Sequence, residues 1–182
     1  MTAIPEPAGP SATGTPTAMQ RIAAGIGLGQ RGQTTEARLL LSALWAEIGP
    51  EGPPLQRLSV AHALADVQEE VTAELEWDLV ALQVASRVTD AEVAAAGMPG
   101  NAAALYPSLH LNAGEAHRRC GDDRGARRHL DLGRTALHEL PVDVRTDAAG
   151  YLDMIEDGLR RLEQRLADPA SSLADSGIPP HP

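Results

Sequence analysis

Apolar side chains recur along this chain with the spacing of helices. Over 35–48, Ala37, Leu40, Leu41, Leu44 and Ile48 fall at i, i+3, i+4, i+7 and i+11, which gathers them into one helical stripe. Gly49-Pro50-Glu51-Gly52-Pro53 ends that helix, and Pro54, suited to a first helical turn, opens another that reaches about Val71. Its apolar positions form two rows, Leu55, Leu58 and Ala65 beside Val60, Leu64, Val67 and Val71, so it needs neighbours on two sides. Thr72 is placed to cap a helix over 74–88, in which Leu75, Leu79 and Leu82 share one face and Trp77, Val80 and Val84 the adjoining one. Ahead of these, Thr15-Pro16 opens a helix through Met19 and Ile22 to about Gln30, weakened by Gly25, Gly27 and Gly29 at about 1 kcal/mol each relative to Ala.

The second half continues the pattern. Thr89-Asp90-Ala91-Glu92 has the form of a capping box and predicts a short connecting helix, ended by Gly97-Met98-Pro99-Gly100. Pro107 starts a helix through Cys120 with Leu109, Ala113, Ala116 and Cys120 on one face; Gly121-Asp122-Asp123 breaks it, and a partner follows over 124–140. Leu152, Ile155, Leu159, Leu162 and Leu166 complete a last stripe over 146–167. No segment alternates as a strand does, so the expected class is all-α. The folded domain is expected at 16–167, between disordered tails at 1–15 and 168–182 that are rich in Pro, Gly, Ser and Ala. At 182 residues the chain supports one substantial core, and two would each be marginal.

Composition narrows the chemistry. There is no Phe, and Trp45, Trp77, Tyr106 and Tyr151 are the only large aromatics, so a surface for stacked bases has little to stack on. A net charge of −10 also repels polyanions, and no nucleic-acid partner is expected. The first residues lack a basic and apolar leader, and no membrane anchor is legible, which makes a cytoplasmic location the default expectation. Cys120 is the one cysteine, expected as a buried inert thiol, so no intrachain disulfide and no cysteine-based zinc site can form. All 15 cationic side chains are Arg, which reads first as codon bias.

The chain contains an internal echo. AGIGLGQRGQTTEARLLL at 24–41 and AGEAHRRCGDDRGARRHL at 113–130 match at an offset of 89 in Ala24/Ala113, Gly25/Gly114, Gly32/Gly121, Ala37/Ala126, Arg38/Arg127 and Leu41/Leu130. Small residues on both helices, Gly at the turn and Leu in the shared core relate two helix-turn-helix units. This pattern resembles the tetratricopeptide repeat (TPR), best in Gly114, His117, Gly121, Ala126 and Leu130. His117 stands where that family usually has Tyr, Gly133 where it has Ala, and His110 where an aromatic is expected, and the offset implies about 44 residues per unit against a typical 34. A middle unit over 54–88 fits the same frame with Ala65 as its small residue and no Gly at its turn. The resemblance implies a short right-handed α-solenoid of about three divergent TPR-like units plus a C-terminal capping helix. It also implies a concave groove along the first helix of each unit that binds a peptide or partner protein, or a second copy of the chain, with no catalysis and no cofactor.

Carried onto this sequence, the groove positions are Ser59, His62, Asp66 and Glu69 in the middle unit, and Ser108, Leu111, Glu115, Arg118 and Arg119 in the third. The groove would be polar: residues 54–98 carry two Arg against eight acids, whereas 107–140 carry six Arg against five. A rival from another class is a helical metal- or small-molecule-binding enzyme in which His62, Asp66, His110 and His117 converge, although the Glu-x-x-His spacing of helical-bundle metal sites is absent. A peptide-sensing regulatory domain is a third reading. Gly27-Leu28-Gly29-Gln30-Arg31-Gly32 spells a dinucleotide-binding fingerprint, but no strand precedes it, and a repeat turn accounts for it better.

Overall fold

The computed structural model describes residues 16–168, and all regular structure there is helical: α1 (Ala18–Gln30), α2 (Thr34–Ile48), α3 (Pro54–Ala65), α4 (Val71–Ala85), α5 (Asp90–Ala95), α6 (Tyr106–Arg119), α7 (Asp123–Glu139), α8 (Val142–Asp147) and α9 (Ala149–Ala167), with a 3-10 turn, Ala102–Leu105, leading into α6. The expected class, all-α, is what the structure shows. Both expected tails lie outside the described residues, apart from Asp168 at the end of α9.

Local chemistry sets most boundaries. Thr17 caps α1 through a reciprocal pair in which its hydroxyl accepts from Gln20 N at 3.2 Å and Gln20 Oε1 accepts from Thr17 N at 2.8 Å. Thr15, expected as the cap, lies outside the described residues. The Thr89 and Glu92 pair forms the same box at α5. Helix α3 stops at Ala65, six residues before the expected end, because Gln68 Nε2 donates back to Leu64 O at 2.7 Å and Arg38 of α2 donates to Val67 O at 3.3 Å. The chain thus turns at 66–70 without Gly, and α4 begins at Val71 with Glu70 rather than Thr72 at its cap position. The last expected helix, 146–167, is α9 from Ala149 on; ahead of it Pro141 opens a short helix, α8, that the sequence pattern does not predict, and a break at Ala148 separates the two. Gly32 and Gly121, at φ of 77° each, close the α1–α2 and α6–α7 turns at equivalent places in the echo.

Consecutive helices pack in pairs, α1 on α2, α3 on α4 and α6 on α7; α2 on α3 and α4 on α6 join one pair to the next, and α9 lies against α6 and α7. The core is accordingly strung along the chain. Ile22, Leu41, Leu44, Val60 and Leu64 fill the space among α1, α2 and α3; Leu58, Ala81, Val84, Val93 and Leu109 fill that among α3, α4, α5 and α6; Leu130, Ile155, Leu159 and Leu162 fill that between α7 and α9. Trp45 and Trp77 bridge the first two clusters edge to face, with centroids 5.2 Å apart and rings at 89°, and Arg57 lies 3.9 Å above the Trp45 ring.

The α1–α2 crossing depends on Gly25. A Cβ there would lie 2.7 Å from Leu41 Cδ2 and 2.8 Å from its Cγ, and Leu41 is fully buried with nowhere to move. Gly27, two residues on, would meet only the end of the Arg31 side chain, at 3.2 Å. In urea denaturation Gly25→Ala is therefore expected to lose about 1–2 kcal/mol in spite of its better helix propensity, whereas Gly27→Ala gains up to about 1 kcal/mol. Equal effects at the two positions would contradict this account of the crossing.

Candidate functional site

A cavity of about 300 Å³ opens where α1, α3, α6 and α9 approach one another. Helix α1 contributes Ile26; α3 contributes Leu58, Ser59 and His62; α6 contributes Ser108 and Leu109; and Tyr151 comes from α9. Met98 and Pro99, after α5, and Ala104 and Leu105 of the 3-10 turn complete the wall. Helices α2, α4 and α7, the second members of the pairs, supply none of it.

The polar groups in this wall are tied down. Ser59 Oγ donates to Leu55 O at 2.8 Å; Tyr151 OH donates to Ser108 Oγ at 2.6 Å, and Ser108 Oγ donates onward to Leu105 O at 3.0 Å. Burial raises the Tyr151 phenol above its ordinary range, an effect its bond to Ser108 opposes, so it stays a neutral donor. The Asn112 amide nitrogen donates to His62 Nδ1 at 3.4 Å, which puts the proton of a neutral His62 ring on Nε2. The site thus offers apolar volume with a few fixed neutral hydrogen-bonding groups, the composition that suits an apolar side chain or small ligand.

The groove positions expected from the sequence scatter around this cavity. Ser59, His62 and Ser108 line it. Asp66 follows α3 as its C-cap; loss of water raises its carboxyl and the nearby His62 pulls it back. Glu69 pairs with Arg38 of α2 at 2.7 Å and ties the α3–α4 turn to that helix, while Arg119 pairs with Glu74 of α4 at 2.6 Å and ties α6 to α4. Leu111 packs onto Gly158 of α9. Glu115 binds Arg118, at 3.0 Å, and Arg165 of α9; Arg118, expected to face the groove, is only 6% exposed. The four residues of the metal hypothesis stay in two groups, His62 with Asp66 and Asn112 on one side of α6, and His110 and His117 against His129 of α7 on the other. Among the described residues no three His, Cys, Asp or Glu side chains are grouped as metal ligands. Cys120 corrects another expectation: as the residue ending α6 it is exposed, although its surroundings raise the thiol.

Asp78 was not singled out in the sequence. It is 2% exposed, its Oδ1 has no hydrogen-bond partner, and burial, then Glu74, then Asp66 push its pKa up to about 8. The one signal available was its position between the apolar rows of α4, flanked by Leu75 and Leu82. Gly27 and Gly29 lie within α1, and no strand among the described residues precedes them, so the glycine-rich stretch is not a phosphate loop. No helix among the described residues is long and apolar enough to cross a membrane.

The raised pKa of Asp78 has a definite sign. The fold binds this proton more tightly than the unfolded chain, so the stability it contributes is complete below about pH 4 and is lost as pH rises through about 8. Asp78→Asn is expected to match the parent near pH 4 and exceed it by about 1–3 kcal/mol at pH 8. Parallel pH profiles of the two urea midpoints would show that the carboxyl is solvated after all. No family model, curated protein or solved structure matches the chain.

Proposed function

We propose that this protein is a non-enzymatic binding module: a short α-solenoid of three TPR-like pairs, α1–α2, α3–α4 and α6–α7, closed by α9. Its inner face takes a peptide segment of a partner protein and seats one large apolar side chain in the cavity. The observation that carries this reading is the origin of the lining. Leu58, Ser59 and His62 of α3, Ser108 and Leu109 of α6, and Ile26 of α1 all come from the first helix of a pair, and Tyr151 comes from the closing helix. The 89-residue echo supports it as well, since Gly25 and Gly114 each admit a close neighbour in equivalent first helices.

The volume suits one Leu, Met or aromatic side chain, and apolar burial on that scale supplies about 1.5–3 kcal/mol. A segment bound this way gains further from backbone hydrogen bonds along the rim, where His62 Nε2 is the available donor. Affinity in the micromolar range is expected of such a single-anchor peptide.

The test is selection from a displayed random-peptide library on the full chain, followed by titration of the enriched peptides. Enriched sequences should share one large apolar position, and Ser59→Phe, which fills the cavity from its wall, should weaken them at least about tenfold with an unchanged melting temperature. Enrichment of sequences without an apolar position, or full binding by Ser59→Phe, would place recognition elsewhere.

A further inference from the structure

On the opposite side of α6, helices α6 and α7 meet through imidazoles. The Nδ1 atoms of His110 and His129 are 3.1 Å apart, within hydrogen-bonding distance, and their ring centroids are 5.2 Å apart. His117 stacks on the other flank of His129 at 5.1 Å, with ring planes 24° from parallel. Each imidazole residue faces a glycine of the opposite helix. A Cβ at Gly133 would lie 3.3 Å from His110 Cβ, one at Gly114 would lie 3.4 Å from His129 Cβ, and one at Gly125 would run into the His117 ring. The two backbones are closest where the rings stand, so the rings cannot draw apart unless the helices do.

Little in the surroundings would accommodate added positive charge. From the cap of α7, Asp122 Oδ2 accepts from His117 Nδ1 at 2.9 Å. From α7 itself, Arg128 faces both His110 and His129 and disfavours their cationic forms. From α6, Tyr106 lies 6.3 Å from His110, and α9 brings Leu159 over Gly133 and Leu162 over Gly114, both uncharged. One carboxylate at one end of a three-ring stack thus faces a guanidinium and two further rings.

The first pair builds the same crossing from leucines. At the offset of 89, His117 and His129 correspond to Leu28 and Leu40, and both of those pack into the α1–α2 core. Imidazoles are therefore not required to fill this space; what they add is sensitivity to protons.

We propose that the His110, His129 and His117 stack is a proton-operated clasp, which holds α6 to α7 at neutral pH and releases that pair in mild acid. Burial foremost, then the neighbouring cations, keep His110 below its ordinary value of 6.5 and hold His129 down at about 4. Because the folded values are depressed, the unfolded chain takes up protons first, so stability is complete above about pH 6.5 and is lost as pH falls toward about 4. Asp78 works in the other direction over the same range, so acid loosening of α6 and α7 cannot come from it.

Amide hydrogen exchange on the full chain at pH 7 and pH 5, corrected for the intrinsic chemical rates, reads this directly. At pH 5 ordinary carboxylates remain ionised, which separates the imidazoles from general acid unfolding. The opening constant over 106–139 is expected to rise at least about tenfold from pH 7 to pH 5 relative to that over 18–48, a reference that excludes Asp78. In the His117→Leu and His129→Leu double variant, patterned on Leu28 and Leu40, the relative rise should fall below about twofold. His129→Gln, which removes a titrating group while keeping a hydrogen-bonding side chain, should reduce it as well if the double variant does not fold. An equal rise in both regions of the parent, or a tenfold relative rise that survives in a folded variant, would overturn the clasp.

Discussion

The spacing between helices governs this structure, and small residues set it. With no Phe and few large aromatics, the chain has little apolar volume per side chain, so native packing density requires helix axes that lie close together. Gly25 admits Leu41, Gly114 admits Leu162, Gly133 admits Leu159 and Gly158 admits Leu111. Fully buried alanines at 37, 61, 81, 113, 116 and 126 continue the same close contacts. Each of these helices loses intrinsic propensity at its glycines and recovers it through leucine contacts that a larger residue would prevent.

Helix α6 shows how differently two sides of one element are held. Toward α4 an ion pair of Arg119 with Glu74 is added to an apolar cluster that Leu109 shares with Ala81 and Val84, with the buried Asp78 close enough to Glu74 for their charges to interact. Toward α7 it is a stack of imidazoles over glycines. Toward α9, Glu115 gathers Arg118 and Arg165 while Leu111 packs on Gly158. The ties differ in their response to conditions: the more exposed ion pair, Arg119 with Glu74, weakens with salt, the imidazoles respond to protons, and the leucine contacts respond to neither.

Much of the helical layout was legible because one-sided helices carry a clean stripe; α2, α5 and α9 could be read from Leu, Val and cap positions alone. The end of α3 was not, since the turn at 66–70 has neither Gly nor Pro and is enforced by Arg38, a residue on another helix. Ser59, His62 and Ser108 were among the expected groove positions and line the cavity, but Met98, Pro99 and Tyr151 reach it only through tertiary packing. His110 and His117 could be recognised singly as substitutes for aromatics. Their shared partner His129 lies 19 residues from His110 on another helix, and spacing along the chain carries no trace of that contact.

The two tryptophans meet at a single junction, edge to face between the first two helix pairs and beneath Arg57. All indole emission from this protein therefore originates at one seam, where a cation above one ring and a second ring against its edge govern its intensity. Separation of α2 from α4 would alter that emission at once, whereas rearrangements confined to α6, α7, α8 and α9 would leave it nearly dark to the observer. A spectroscopist following the native fluorescence would see the first half of the molecule and would need circular dichroism, or a label on the exposed Cys120, to see the second.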